Sequence, residues 1–221
     1  MRFRERIVTA SHSGDRCGVH ENRKQLQAQA TRERLEAVAA KLFADRGFSG
    51  VSGEELVAAA EVTRGALYHH YGGKEGLFAA IVERTMRDLH AGLVTQAAGA
   101  RDPVQGLQRG VTAFLALSTE VATQRILLVD GPAVLGWRRW RELDARYGLG
   151  LLKQAITGAM RAGLLRDQDA DMLAHLLLGA LTEAAMVIAR AKDQASAREA
   201  AERAIMSMIE GWRAHNRLNE L

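Results

Sequence analysis

Residues 61–78 read EVTRGALYHHYGGKEGLF, with Arg64, Tyr68, His69 and His70 crowded into two helical turns before Gly72-Gly73 and Lys74. These residue types suit catalysis, metal binding and phosphate contact alike, so the surroundings must decide. Thr63 is placed to cap a short helix that ends before the glycine pair. Upstream, Ser52 with Glu55 three residues on forms a capping box for another short helix carrying Leu56 and Val57. Farther back, Leu35, Val38, Ala39, Leu42 and Phe43 recur at i, i+3, i+4, i+7 and i+8. That period predicts a helix capped by Thr31, running to about Arg46 and stopped by Gly47. Three short helices, the second and third separated by a tight turn, outline a helix-turn-helix unit.

If the third helix points its N-terminus into a DNA major groove, the crowding acquires a purpose. Arg64 sits in the leading turn, where a guanidinium can reach guanine O6 and N7 together. Gly65 and Ala66 are small, so the backbone can approach base edges and Ala66 can touch a thymine methyl. Tyr68, His69 and His70, one turn later, face the groove walls with donors suited to phosphate oxygens, as does Lys74. Leu67 points the other way with Val62 and Tyr71, toward Leu56 and Phe43.

The rest of the chain is consistent with an all-α fold. Only Pro103 and Pro132 interrupt 221 residues that are 48% hydrophobic, and the runs between them are rich in helix formers. A fourth helix carries Leu77, Phe78, Ile81, Val82, Met86 and Leu89. Longer helices follow at about 103–121, 123–130, 136–162, 169–191 and 197–216, with breaks at Gly131-Pro132 and Gly163. The period of Leu173, Leu177, Leu181 and Ala184 matches that of Ala201, Ile205, Met208 and Trp212, which suits an antiparallel pair. The lone Cys17 forms no internal disulfide and no apolar leader follows the N-terminal arginines, which fits a reducing cytoplasm. The most apolar helix is interrupted by His175, Glu183 and Arg190, whereas a membrane span wants roughly 20 apolar residues.

Charge is unevenly placed. Residues 1–32 hold seven basic and three acidic side chains, so their net charge of +4 equals that of the whole chain. Residues 33–85 hold six basic and eight acidic ones, so bulk charge does not mark the middle segment for DNA. Residues 1–28 show no periodicity and read as a flexible basic arm that adds minor-groove or phosphate contacts.

VSGEELVAAAEVTRGALYHHYGGKEGLFAAI, preceded by TRERLEAVAAKLFADRGF, resembles the DNA-binding segment of TetR/AcrR-family transcriptional regulators. The similarity spans about 31–82, and its Gly-x-Leu-Tyr-x-His-aromatic-x-x-Lys-Glu-x-Leu order is specific. Beyond the basic arm (1–28), the resemblance implies a helix-turn-helix domain (29–75) and a larger C-terminal helical ligand-binding and dimerisation domain (76–221). It implies a homodimeric, usually repressing regulator, released from a palindromic double-stranded DNA operator by a small-molecule effector, with no cofactor. By position, Arg64, Gly65 and Ala66 would read bases, while Ser52, Thr63, Tyr68, His69, His70 and Lys74 would hold the backbone. Two departures concern the turns. Glu61 replaces a glycine that commonly adopts a left-handed conformation, at a cost of roughly 1 kcal/mol, and Gly72-Gly73 loosens the link to the fourth helix.

Other readings are weaker. Adjacent His69 and His70 diverge by about 100° on a helix, and no Glu-x-x-His spacing supports a metal bundle. His12, Cys17 and His20 are three ligands where a closed zinc site wants four. No nucleophile elbow or phosphate-cradling loop is present. His175 and Glu183 in a bundle interior would make an enzyme, but they stand more than two turns apart. The acidic Glu54, Glu55 and Glu61 suit an interaction module with a degenerate helix-turn-helix. For the ligand, Phe114, Leu117, Trp137, Trp140, Tyr147, Met160, His175, Glu183 and Met186 can line a cavity between the long helices. Arg138, Arg139 and Arg141 around the tryptophans suit an anionic or amphipathic ligand, or a solvated face. The 169–191 and 197–216 helices are the expected dimer interface.

Overall fold

The computed structural model describes residues 15–214, with side chains from Gln25 onward. Nine helices follow in order among the described residues: α1 (Asp15–Arg46), α2 (Gly53–Ala59), α3 (Arg64–Tyr71), α4 (Lys74–Ala97) and α5 (Pro103–Leu117), then α6 (Val121–Leu135), α7 (137–161), α8 (Ala170–Arg190) and α9 (Gln194–Glu210). Among the described residues there is no β-strand, only an isolated bridge between Leu165 and Arg213. The all-α expectation holds.

The local rules around the opening stretch hold as well. Ser52 Oγ accepts from Glu55 N while the Glu55 carboxylate accepts from Ser52 N, completing the capping box. Thr63 Oγ1 accepts from Ala66 N and starts α3. Glu61 takes φ of 53°, the one non-glycine residue with positive φ among the described residues. The Gly72-Gly73 link is not slack as the sequence suggests. Gly72 is left-handed and Gly73 has φ of 128° and ψ of −168°, so the chain turns into α4 through conformations that L side chains rarely adopt.

Glu61→Gly is expected to raise the melting temperature by about 2 °C. The substitution removes about 1–2 kcal/mol of left-handed strain, and glycine's larger unfolded-state freedom takes back about half. The Arg34–Glu61 pair it deletes is exposed on both sides, at 3.8 Å, and contributes little. A lower melting temperature in calorimetry would show that the turn is not strained at this residue.

Two helix boundaries differ from expectation. Helix α1 begins at Asp15, not at Thr31, so residues 15–28 of the expected arm are helical; residues 1–14 lie outside the described residues. From Gln25 to Arg34 every side chain is exposed except Ala28 and Thr31, which are half-buried. A helix that buries so little leaves no periodic stripe to read, and the Glu, Lys, Gln, Leu and Ala content alone sustains it. Thr31 sits mid-helix, its hydroxyl donating to Gln27 O at 2.9 Å.

The chain passes Gly131-Pro132 without leaving α6, because the preceding turns, Gln124–Asp130, are π-helical and already depart from the ladder a proline would break. The break falls at Gly136, where φ is 77°. A second π-helical stretch, Ala145–Leu149, lies inside α7.

Two apolar cores result. The first joins Phe43, Phe48 and Phe78, whose ring centroids lie 5.1–5.8 Å apart, to Leu56, Leu67, Leu77, Ile126, Leu127 and Trp140. It therefore runs from the helix-turn-helix unit into α6 and α7. The second holds Val104, Leu107, Val111, Leu115, Leu173, Leu177, Ile205 and Ile209, and packs α8 against α9 as the matching periods suggest. By length and hydropathy α8 would reach across a bilayer, but half of its apolar window is buried in the fold.

Candidate nucleic-acid interface and ligand cavity

Helix α3 divides cleanly by face. Leu67 is 1% exposed and joins the first core with Leu56 and Phe43, with Val62 and Tyr71 packed partly against it. The Tyr71 hydroxyl donates to Glu36 Oε1 at 2.9 Å, which ties α3 to α1. Burial foremost, and then that carboxylate, push the phenol's pKa up. On the opposite face Thr63, Arg64, Gly65, Tyr68 and His69 are exposed, with Ala66 and His70 half-buried. His70 has a lowered pKa, through burial first and then the charges of His69 and Arg32.

Arg64 extends over the Tyr68 ring, 5.6 Å from its centroid, and its Nη1 lies 3.4 Å from Glu54 Oε1. Gly65 has no packing role in the fold. A Cβ there would meet only Thr63 Oγ1, at 3.7 Å. A glycine in an exposed helical turn costs about 0.5–1 kcal/mol relative to alanine, so its use suits the approach of something from outside. Ser52 and Thr63 spend a lone pair on their caps, which leaves each hydroxyl hydrogen free to donate outward.

Lys74 is not the free cation expected from sequence. Its Nζ donates to Phe48 O at 3.1 Å and Val51 O at 2.9 Å, and it stands 3.9 Å from the centroid of Phe48. Two of its three N–H bonds thus staple the loop between α1 and α2 to α4, leaving one for a phosphate. The acidic residues that favoured a degenerate module are each engaged: Glu55 in its cap and on Arg46 at 2.9 Å, Glu54 on Arg64, and Glu61 near Arg34.

Sequence did not single out Glu54 as the partner of Arg64. The carboxylate competes for the guanidinium and repels phosphate, so Glu54→Gln is expected to tighten DNA binding several-fold, mostly at low salt. Fluorescence anisotropy on a labelled duplex checks this; equal or weaker binding would mean that Glu54 positions Arg64 instead.

A cavity of about 470 Å³ opens between α4, α5, α7 and α8. Leu89 and Leu93 from α4, Leu107, Val111 and Phe114 from α5, Tyr147 and Leu152 from α7, and Leu178 and Leu181 from α8 supply its apolar wall. Of the residues expected there, Phe114 and Tyr147 line it and the others do not. Trp137 is 58% exposed, stacked on Trp140 at 5.2 Å. Trp140 is buried in the first core, donating to Leu127 O at 2.7 Å. The π-helical stretch at Ala145–Leu149 shifts the helical phase, so residues on opposite sides of it that a 3.6 period aligns do not share a face. Met160 packs on the second core and Met186 in the first, while Leu117 borders a separate surface groove.

His175 and Glu183 lie on the exposed face of α8, outside the bundle interior that the enzyme reading required. Arg141 is bound to Asp144, and Arg138 and Arg139 are exposed. Sequence reading overlooked His90 and Asp144, which line the cavity. Asp144 had a usable signal, as a carboxylate on the inner side of an otherwise apolar helix face. Among the described residues no three His, Cys, Asp or Glu side chains are grouped to hold a metal; the side chains of His12, Cys17 and His20 lie outside those described.

Residues 36–81 match the model of bacterial regulatory proteins of the tetR family, and residues 104–212 match that of the tetracyclin repressor-like C-terminal domain. A TetR-family transcriptional regulator from Pectobacterium atrosepticum, known as a crystal structure, is 33% identical; the alignment covers 86% of this chain and 97% of that one, with a TM-score of 0.78. The chain belongs to the TetR family. It is a DNA-binding transcriptional regulator, not an enzyme. The transcriptional repressor NicS of Pseudomonas putida is 28% identical over 70% of this chain and 75% of its own length. RolR, solved in complex with the ligand resorcinol, shares the fold at 18% identity, with a TM-score of 0.67 over 83% of this chain and 89% of its own. As a TetR-family member, the chain carries its helix-turn-helix in α2 and α3 and its C-terminal helical domain in α5–α9.

Proposed function

We propose that this TetR-family protein is a cytoplasmic homodimeric repressor that holds a palindromic operator through paired α3 helices and releases it when a small molecule enters the α4–α5–α7–α8 cavity. The open space at Gly65, on an exposed α3 edge led by Arg64, carries the DNA half of this reading. Arg64, Gly65 and Ala66 meet base edges; Ser52, Thr63, Tyr68, His69, His70 and the remaining Lys74 N–H meet the backbone. The cavity lies in the range of drug-sized ligand sites. The NicS repressor and the resorcinol complex of RolR support repression and ligand control by analogy.

The dimer reading rests on the outer face of α8. Met172, Leu176 and Val187 are 56%, 55% and 51% exposed, and a Cβ at Gly179 between them would meet nothing within 4 Å. Large side chains left bare beside open backbone suit burial against a second copy, with α9 alongside. One recognition helix alone buries little, and two set about 34–36 Å apart span successive half-sites.

Selection of duplexes from a random pool by the purified protein tests the reading, with sedimentation of the same sample. The expected result is an enriched palindrome and a dimer at micromolar concentration. A monomer, or an enriched site without two-fold symmetry, would overturn the paired arrangement.

A further inference from the structure

The polar atoms of the cavity are nearly all acceptors. His90 Nδ1 lies 2.5 Å from Tyr147 O. A carbonyl only accepts, so Nδ1 carries the hydrogen, and in the neutral ring Nε2 is left as an acceptor. The Tyr147 hydroxyl gives its hydrogen to Glu83 Oε1 at 2.9 Å. The side chain of Asp144 is 18% exposed. Its Oδ2 takes both Arg141 Nη1 and, at 3.2 Å, the Thr182 hydroxyl, whereas Oδ1 has no hydrogen-bond partner among the described residues. Asp102, at the edge, accepts from Gln105 N. The one arginine on the lining is Arg101, and it is exposed at the mouth; Arg141 does not line the cavity.

A carboxylate ligand that passes Arg101 at the mouth would find acceptors along the inner wall and no cation, and burying an unpaired charge is costly. A ligand donor would find the bare oxygen of Asp144. We propose that the cavity selects by the sign of its polar group, taking a largely apolar molecule that carries an amine or hydroxyl and rejecting carboxylates of the same shape. This rests on the reading of the cavity as the effector site. Burial, outweighing Arg141 and Thr182, holds the Asp144 carboxyl above its usual range, so its charge is under-compensated and gains from a further donor.

Calorimetry with three probes on one skeleton tests the selection: 4-phenylbenzylamine, 4-phenylbenzyl alcohol and 4-phenylbenzoate, titrated into the full chain near neutral pH. The amine and the alcohol are expected to bind, with the benzoate at least about tenfold weaker than the amine, the scale of a lost charged hydrogen bond. Asp144→Asn is expected to erase that margin. Gly110→Phe should abolish binding of all three, because Gly110 lines the cavity and a Cβ there meets nothing within 4 Å.

Benzoate binding as tight as the amine's, lost in Gly110→Phe, would overturn the selection and leave the cavity reading standing. Binding that survives Gly110→Phe, or no binding of any probe, would overturn both. Asp144→Asn removes the charge opposite Arg141 while keeping an acceptor oxygen; should that variant not fold, the wild-type ratio of amine to benzoate decides the question.

Discussion

Arg64→Ala is expected to cost about 1–3 kcal/mol of operator binding and to flatten sequence preference at the base it meets. That loss corresponds to about a 5- to 150-fold rise in Kd. Three observations set the size. The side chain leads an exposed helix N-terminus, it is extended over Tyr68 and not folded into the core, and its ion pair with Glu54 is exposed enough to open at small cost. The fold should be unaffected, since Arg64 contributes nothing to the first core. Anisotropy against the selected duplex and a scrambled one reads both effects. Equal loss on the two duplexes would make Arg64 a phosphate contact; no loss on either would move the reading edge away from α3.

The largest effect on stability is expected from Trp140→Ala, about 3–5 kcal/mol in urea unfolding. Domains of this kind hold only about 5–15 kcal/mol in all. Trp140 is 2% exposed, packs in the core shared by α1, α4, α6 and α7, and donates to Leu127 O at 2.7 Å, a carbonyl of the π-helical stretch in α6. Truncation leaves both a cavity and an orphaned carbonyl. Trp140→Phe keeps most of the volume and loses the donor, so about 1–3 kcal/mol is expected. If the two variants fall together, the hydrogen bond and not the packing holds this junction. A loss below about 1 kcal/mol in both would show that the two halves of the first core are stable apart.

The elements legible in the sequence are those set by neighbours in the chain. Ser52 with Glu55, Thr63 and the Gly72 stop each obey a rule spanning four or five residues, and each stands in the structure as read. The left-handed turn at Glu61 came from the family resemblance, which puts a glycine there, and Glu61 takes that φ. The inner face of α3 followed from the position of Leu67. The cavity was not legible, since its lining depends on the phase of α7, and the π-helical stretch at Ala145–Leu149 resets that phase without any residue that signals it. Trp137 and Trp140 were read as cavity wall, whereas the chain turns one into solvent and the other into the first core. The start of α1 was missed because a helix without a buried stripe is invisible to periodicity, and the binding of Lys74 by Phe48 O and Val51 O depends on contacts across more than 20 residues.

The vacant Cβ position at Gly65 reaches beyond the recognition of any one site. Because neither Arg64 nor Gly65 shares in the core, mutation along this edge is screened by selection on binding alone, free of the folding penalty that constrains Leu67 two residues on. Lineages of this regulator are therefore free to retarget by single steps at these two positions while the scaffold stays put, and a designer changing its address begins from the same unencumbered pair.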